Sequence, residues 1–561
     1  MLARRILGLS KRIQFAVQFS AARIHSTINP CSVLPGSPGF LCRFGSGSSW
    51  NKQHTCMLSG IILFGQTALF LGLNGSPALA EESSVVDNDQ GQGDLAGLRR
   101  IEDGSVISNS HTSKWRIFTD NGRELFLKGK LDEAEKYFLL ALQEAKEGFG
   151  IRDPHVASSC NNLAELYRVR KAFEKAEPLY LEAITILEES FGTDDIRVGA
   201  ALHNLGQFYL VQRKLEQARA CYERALKIEG RVLGYNHTEY ANTMYHLGTV
   251  LHLQGKEKDS EALVKESIRI LEEGGQGETM TCIRRMRYLS QMLLKSNRLV
   301  DAENLQRKIL HILEISKGWD SLDTVVAAEG LALTLQSLGN LQDAQEIFQR
   351  CLDVRKNILT EDHIQIAANM LHLARIALLK SNQLRKLKIA DARAEAEKAK
   401  LLLDDSIRIA KAALDHSKKS QSIQSNSTHT KNRKDEHSAI IILLQSLDTI
   451  GLWEAAKLEL GEKEAHRFPS EAELALHECF SIIKEPGIKS LLQTSPDARA
   501  AYLSCLKHLM NQVTENTRDD TRTSVDLQKL KDEARQIESE LLPNKRNIFK
   551  ICSTNFFFKT P

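Results

Sequence analysis

Histidine, cysteine and the acidic residues could do chemistry in this sequence, but their spacing matches no catalytic pattern. The 17 histidines are dispersed, and none forms a convincing spaced motif with a carboxylate or a cysteine. The ten cysteines include no CxxC pair, and the sequence has no phosphate-binding glycine loop and no nucleophile elbow. The sequence therefore predicts a protein that is not an enzyme and that uses no cofactor and no metal ion.

Composition narrows the class of partner. Charged residues make up 26% of the chain, and the formal net charge of +3 gives no indication of nucleic-acid binding. The cysteines outside the N-terminal region, such as Cys160, Cys221 and Cys351, stand singly on predicted helices. We expect them to be small buried residues rather than members of a disulfide framework.

A sequence repeat of 42 residues indicates the structural elements that would position any functional side chains. NNLAELYRVRKAFEKAEPLY (161–180) is followed 42 residues later by HNLGQFYLVQRKLEQARACY (203–222), with seven of the twenty positions identical. A leucine recurs at the same register as Leu163, Leu205, Leu247, Leu289, Leu331 and Leu373. The residue after it is small in every unit: Ala164, Gly206, Gly248, Ser290, Ala332 and Ala374. Such a fixed period indicates stacked structural repeats.

Each unit has the pattern of two helices that approach closely. Ala176, Tyr180 and Ala183 share one helical face, and a small residue on the preceding helix lets the two backbones meet with the aromatic ring beside them. A lone helix pair cannot bury its apolar face, so the pairs are expected to stack into a solenoid. Glycines near the unit ends, at positions 150, 192, 234 and 318, are expected to supply the positive φ of a helix C-terminus.

This pattern resembles the tetratricopeptide repeat (TPR). The 42-residue period, the phrases NNLAELY and HNLGQFY, and the FGxxDPH link over 149–155 are similar to the TPR domain of kinesin light chains and related plant proteins. The resemblance covers residues 115–385, fades at Ser260, Val264 and Gln306, and recovers at Ala344. It implies an all-α, right-handed TPR superhelical solenoid, followed here by a C-terminal helical region.

The resemblance also implies a peptide-binding groove on the concave face, which the first helix of each pair lines. In the family, an asparagine just before the conserved leucine grips a peptide backbone, since an amide both donates and accepts hydrogen bonds. On this basis the predicted groove residues are Asn161, Asn162, Arg168, His203, Asn204, Gln207, Asn242 and His246. Glu165 stands where relatives that bind chaperone tails have asparagine, so a carboxylate clamp is not expected.

The N-terminal residues have the composition of a targeting signal. Residues 1–80 contain seven basic residues and no acidic residue, and the Arg- and Leu-rich start is typical of an organellar presequence. An apolar stretch at 57–73 precedes Ala78-Leu79-Ala80, which resembles a signal cleavage site. Two interpretations remain open: a bipartite signal cleaved after Ala80, or a retained anchor that associates with a membrane through 57–73.

The whole chain divides into eight predicted segments. They are an organellar presequence (1–56), an apolar signal or anchor (57–80), a polar linker (81–114), a solenoid of about six repeats (115–385), a capping helix (386–417), a disordered linker (418–438), a helical C-terminal region (439–545) and an irregular tail (546–561). We expect the protein in the mitochondrion, at the inner membrane or in the intermembrane space. The alternative is a chloroplast, with the thylakoid lumen as compartment.

The predicted function is that of a non-enzymatic scaffold or adaptor, which binds a protein or peptide partner on the first helices. One alternative is an assembly or quality-control factor for an organellar membrane complex. A second alternative is a cargo adaptor of the kinesin-light-chain type. No nucleic-acid partner is expected.

Overall fold

The computed structural model describes residues 110–421, 429–461, 470–484, 488, 495–516, 528 and 531–539. Over these ranges the chain is helical, with turns between the helices and no strand. The predicted presequence, the apolar segment 57–80 and the tail 546–561 lie outside the described residues.

Between residues 110 and 421 the helices follow one another as seven consecutive packed pairs. The first helices are α1 (Ser110–Leu127), α3 (Pro154–Val169), α5 (Ile196–Val211), α7 (Thr238–Leu253), α9 (Met280–Lys295), α11 (Leu322–Leu338) and α13 (Ile364–Leu384). The second helices are α2 (Leu131–Phe149), α4 (Phe173–Phe191), α6 (Leu215–Val232), α8 (Glu257–Glu273), α10 (Leu299–Lys317), α12 (Leu341–Ile358) and α14 (Ile389–Gln421). The all-helical stack predicted from the 42-residue period is confirmed.

Beyond residue 421, the described part of the chain includes three long helices that extend the array. They are α15 (His429–Glu459), α16 (Glu471–Ile483) and α17 (Pro496–Asn516). Helix α15 packs on both α13 and α14, while α16 and α17 pack on α15 and on each other. One apolar core runs without a break from Leu331 through these helices to Ala534. The C-terminal helices therefore share the core of the last two pairs.

Two predicted segments differ from the structure. The helix expected to cap the solenoid (386–417) is the second member of a seventh pair, because Ala392, Ala396 and Ala399 bury a small-residue face in the core that it shares with α13. The linker 418–438 was expected to be disordered. Helix α14 instead extends into it as far as Gln421, and helix α15 begins within it at His429. The buried run Ala439–Leu444 stabilises this part of α15 by packing.

The ends of the helices repeat with the same 42-residue period. The residue before most first helices accepts a hydrogen bond from a backbone N–H of the first turn, as at Asp153, Asp195, His237, Thr279 and His363. The turn inside each of the first six pairs has one residue with positive φ: Gly129, Lys171, Arg213, Gly255, Asn297 and Gly339. The predicted glycines 150, 192, 234 and 318 also have positive φ, as expected.

The core is built from the predicted contact between a small and an aromatic residue. The rings of Phe138, Tyr180, Tyr222 and Phe348 are at most 2% exposed. A Cβ atom placed on Gly206 would lie 2.8 Å from Cε1 of Tyr222, so only glycine allows the ring to lie this close to α5. The small residue on each first helix therefore sets how near the second helix can pack.

Four of the described cysteines are unpaired, as expected, and two form a disulfide. Cys160, Cys282 and Cys351 are free and buried, and Cys221 is free and half-buried. Cys479 of α16 and Cys505 of α17 instead form a disulfide across 26 residues of sequence, which the expectation of single cysteines did not foresee. Nothing in their spacing indicates the pair, because only the packing of α16 on α17 brings them together.

Within the described residues, one helical segment has the length and apolar character of a membrane span. This segment, Glu436–Glu459 of α15, has 83% of its most apolar window buried among the other helices. Core helices of soluble proteins have the same properties, so the segment is weak evidence for a membrane span.

Candidate protein-interaction site

The eight predicted groove residues lie on three neighbouring first helices. Asn161, Asn162 and Arg168 are on α3, His203, Asn204 and Gln207 are on α5, and Asn242 and His246 are on α7. The six residues on α3 and α5 are buried, with exposed fractions of 5% or less, and the two on α7 are half-buried. Instead of facing open solvent, these side chains contact one another and their neighbours in the array.

Helices α1, α3 and α5 are connected by side-chain amides. Asn204 Nδ2 donates a hydrogen bond to Asn161 Oδ1 at 3.0 Å. On the other side of α3, a guanidinium nitrogen of Arg123 lies 3.5 Å from Asn162 Oδ1. Trp115 Nε1 also donates to Ser159 Oγ at 2.8 Å, which fixes α1 against α3.

Helices α5 and α7 are connected through His203. Its Nδ1 lies 2.8 Å from Thr243 Oγ1, and the Thr243 hydroxyl donates to Glu229 Oε1 at 3.0 Å. Because that hydroxyl proton is used, Nδ1 of His203 is the donor and its Nε2 is the acceptor. Nε2 then accepts from Gln207 Nε2 at 3.4 Å, and the same amide reaches Nε2 of His246 at 3.4 Å.

Aromatic rings hold the two histidines in place. The ring of Tyr222 stacks on His246 with 13° between the planes and meets His203 edge-on. The next link in the array is between α7 and α9, where the guanidinium of Arg285 donates to Asn242 Oδ1 and lies over the ring of Tyr245 at 5.3 Å.

Arg168 is engaged in an ion pair rather than placed as a free groove residue. Its Nε donates to Glu165 Oε1 at 2.8 Å, and Tyr180 donates its hydroxyl to the other oxygen of that carboxylate at 2.6 Å. Burial, together with the Glu165 carboxylate, raises the pKa of Tyr180 well above its usual value, so the hydroxyl keeps its proton. The buried Glu165 therefore binds Arg168 and Tyr180 within one repeat.

Three amide atoms of this network have no hydrogen-bond partner although they are buried. They are Asn162 Nδ2, Asn204 Oδ1 and Gln207 Oε1. Buried polar atoms are nearly always hydrogen-bonded, because an unfilled one costs about 1–3 kcal/mol. We call Asn161, Asn162, His203, Asn204, Gln207, Thr243 and His246 the inter-helix polar network. It offers one unfilled donor and two unfilled acceptors.

The sequence profile of a TPR family, described as "Tetratricopeptide repeat", matches residues 121–189, 197–273 and 323–386. These three stretches are tetratricopeptide repeats. Proteins of this class are generally protein–protein interaction scaffolds, and the repeat fold is typically not catalytic. The profile does not match the fifth pair, α9 and α10. In this pair the predicted resemblance to the repeat fades, and Gln306 occupies the position of Tyr180 and Tyr222.

Several solved structures match parts of the chain at low sequence identity and with low TM-scores. Nearly identical TPR-like repeats from Podosopora anserina, assigned to a kinesin light chain, are 16% identical over 37% of this chain and 98% of that chain, with a TM-score of 0.34. Pseudomonas aeruginosa PilF is 15% identical over 44% and 93%, with a TM-score of 0.33. The apo form of RapI is 12% identical over 72% and 99%, with a TM-score of 0.41. A comparison with curated proteins found no match.

The helix array also contains buried polar residues that the sequence did not predict. Glu229, at 0% exposed, stands where neighbouring repeats have Leu187 and Leu271. A second buried cluster joins Arg355 to both carboxylate oxygens of Glu329 and to Asn369. Glu229 and Arg355 occupy the same position of the 42-residue repeat, and the other repeats have an apolar residue there. A charged residue at an apolar repeat position is therefore the sequence feature that could have predicted these clusters.

The described residues include no group of three or more His, Cys, Asp or Glu side chains arranged to hold a metal ion. Burial raises the pKa of the Cys160 thiol to about 12, which leaves it protonated and unreactive as a nucleophile near neutral pH. Among the described residues, the polar side chains of this site connect neighbouring helices through hydrogen bonds.

Proposed function

We propose that this chain is a non-enzymatic interaction scaffold, and that an extended segment of a partner protein binds along α3, α5 and α7. The observation that carries this proposal is the set of unfilled amide atoms at Asn162, Asn204 and Gln207. They occur on adjacent first helices, where the repeat brings the same register together. A peptide backbone presents alternating N–H and C=O groups, and it could supply the missing partners.

The test is photo-crosslinking inside the organelle. A photoreactive residue at the half-buried position Asn242 is expected to capture a defined partner, whereas the same residue at the exposed Gln143 on α2 is not. The double substitution Asn162→Ala with Asn204→Ala should reduce the adduct from position 242 by about tenfold, because two charge-neutral hydrogen bonds are lost.

The matched control is the double substitution Gln143→Ala with Gln349→Ala, since both glutamines are exposed on second helices. Asn204→Ala also removes the bond to Asn161, so circular dichroism must show that each variant is folded at the labelling temperature. If the network variant yields as much adduct as the control variant, the proposed binding surface is wrong.

We also propose that the scaffold works inside an organelle, in an oxidising compartment such as the mitochondrial intermembrane space or the thylakoid lumen. The Cys479–Cys505 disulfide supports this, because cytosolic thiols are kept reduced. A cytosolic cargo adaptor of the kinesin-light-chain type is the less favoured alternative for the same reason. If the adduct is a subunit of a membrane complex, the assembly-factor alternative gains support over a general adaptor.

A further inference from the structure

The turn between α13 and α14 is longer than the other turns inside the helix pairs. Helix α13 has 21 residues, whereas α3, α5, α7, α9 and α11 have 16 or 17. Ala302 and Ala344, buried on successive second helices, are 42 residues apart, but the equivalent Ala392 follows after 48 residues. Six residues are therefore inserted in the seventh pair. As a result, α13 is longer than these other first helices by about one helical turn, roughly 6–8 Å.

The inserted turn has a composition that the fold does not require. Its residues 385–389 (RKLKI) include three bases and no acid. Leu387 is 82% exposed and Ile389 is 54% exposed, so neither side chain contributes much to the apolar core. The six earlier turns inside the pairs, from 128–130 to 339–340, contain no large aliphatic residue. The two exposed aliphatic side chains therefore belong to the insertion and not to the repeat.

The positive charge of the inserted turn is only partly neutralised. Arg385 forms an ion pair with Glu459 at the end of α15. Nζ of Lys388 lies 3.6 Å from a carboxylate oxygen of Asp391, and both side chains are exposed. Lys386 makes no ion pair within the described part of the chain. Because an exposed ion pair contributes little in water, both lysines remain available to an anionic surface.

Charge complementarity and the exposed aliphatic side chains together favour a lipid surface as the occupant. A lysine close to a membrane is attracted to anionic headgroups, and each one strengthens binding by about fivefold. Aliphatic side chains can enter the boundary between headgroups and acyl chains, while long lysine side chains keep their ammonium groups among the headgroups. A turn that extends beyond its neighbours reaches a flat boundary first, whereas a folded protein partner requires a shaped surface around it.

We propose that the inserted turn, residues 385–389, attaches the array to the surface of a bilayer that contains anionic phospholipids. Leu387 and Ile389 enter the interface, and Lys386 and Lys388 contact the lipid phosphates. Attachment through one short turn is reversible, because it uses two aliphatic side chains and a few charges. This inference is independent of the proposed peptide-binding surface, which lies on α3, α5 and α7.

The experiment measures whether position 387 reaches lipid in the full chain. An environment-sensitive fluorescent amino acid replaces Leu387, and its quenching by brominated acyl chains is recorded in phosphatidylcholine vesicles with and without phosphatidylglycerol. Quenching is expected in the anionic vesicles and should be weak in the neutral ones. The same label at Leu401, which is 69% exposed on α14, should stay unquenched. Because the label reports its own surroundings, binding through residues 1–80 does not substitute for contact at the turn.

Lysine variants test the charge. Lys386→Glu with Lys388→Glu should reduce the quenched fraction at position 387 by about tenfold or more, because two attractions are replaced by two repulsions. The matched control is Lys256→Glu with Lys258→Glu, at two exposed lysines in and beside the turn between α7 and α8, which has no insertion. This control should keep the wild-type quenching at position 387.

Three outcomes would overturn the proposal. The first is equal quenching at positions 387 and 401, and the second is an equal loss in the two lysine variants. The third is a blue shift of the label at 387 that depends on chain concentration and needs no vesicles, which would show that a second copy covers the turn. The comparison of positions 387 and 401 needs no lysine variant, so it remains decisive if a variant fails to fold.

Discussion

Helices α5 and α6 pack closely where Gly206 contacts the ring of Tyr222. A substitution at Gly206 therefore tests how tightly the repeat is packed. A Cβ atom on Gly206 would lie 2.8 Å from Cε1 and 2.9 Å from Cζ of the buried Tyr222 ring. Overpacking costs about 1–3 kcal/mol, while alanine gains about 1 kcal/mol over glycine in helix propensity. Gly206→Ala should therefore lower the free energy of unfolding by about 1 kcal/mol, as measured by urea denaturation.

Gly248→Ala is the matched control for this packing prediction. The equivalent Cβ there would lie 3.0 Å from Val264 Cγ2, and a valine methyl can shift more easily than a ring held by two histidines. We expect Gly248→Ala to be close to neutral. Equal losses in the two variants would mean that the aromatic ring does not set the helix spacing.

His372 makes the stability of the array depend on pH. It is 5% exposed and stacks on Phe348, and burial, then Arg375 and Arg355, lowers its pKa to about 3. The unfolded chain takes up a proton near pH 6.5, but the folded chain does not. The contribution of His372 to the free energy of unfolding is therefore fully present above pH 6.5. It decreases as the pH falls toward 3, by at most about 1.4 kcal/mol per pH unit.

The pH prediction is tested with His372→Phe, which keeps a ring against Phe348 and cannot be protonated. Since His372 Nδ1 has no hydrogen-bond partner, the substitution removes no bond at that atom. Urea midpoints measured between pH 7 and pH 5 should fall less steeply in this variant than in the wild type. His311→Gln, at an exposed position, should keep the wild-type slope. A wild-type slope in His372→Phe would contradict the assignment.

At the scale of the element, the turns inside the helix pairs contain strain that can be removed. Lys171 and Arg213 have φ of 60° and 61°, and both are exposed. The left-handed conformation destabilises a residue that has a Cβ by about 1–2 kcal/mol relative to glycine. This difference is partly offset, because glycine has more conformational freedom to lose when the chain folds. Lys171→Gly and Arg213→Gly should each raise the melting temperature, and Gly255→Lys, at the same register with φ of 77°, should lower it. Opposite shifts would mean that the turns are not strained.

The repeat period predicts the elements well because each helix pair is a local unit. Leu163, Ala164 and Tyr180 recur at fixed spacing, so helix lengths, turns and the small-to-aromatic contact follow from the sequence. The seventh pair was missed because Ala396 stands where Phe348 and the other aromatic residues mark most of the earlier second helices. Its identity depends on packing against α13, which no local pattern records.

The candidate site was harder to predict than the fold. The sequence places Asn162 and Asn204 on equivalent helix faces, and the structure brings their helices into contact. Whether such a side chain is exposed depends on how far each repeat is rotated on the next, which the spacing does not determine. Thr243 joins the inter-helix polar network, and donates to Glu229, only through that rotation. Charged residues at apolar repeat positions are the local sign of such clusters.

At the largest scale that the structure describes, each helix pair contacts mainly the neighbouring pairs, so the stability of the array is close to a sum of local terms. The segment that ends the stack differs, because α15, α16 and α17 share one core and a disulfide connects two of them. This end of the array should unfold as one unit under oxidising conditions. A crosslink that closes 26 residues restricts the unfolded chain by about 3 kcal/mol.

The proposed organellar compartment and the Cys479–Cys505 disulfide can be tested together. If residues 1–80 are a bipartite signal, the protein in isolated organelles should start at Glu81 and resist added protease. Thiol trapping under acid conditions should label Cys479 and Cys505 only after reduction, whereas the free Cys221 should react once the chain is denatured. A chain that retains 57–73 and resists carbonate extraction would favour the membrane anchor. A full-length, protease-sensitive chain with both cysteines reduced would contradict the organellar proposal and restore the cytosolic alternative.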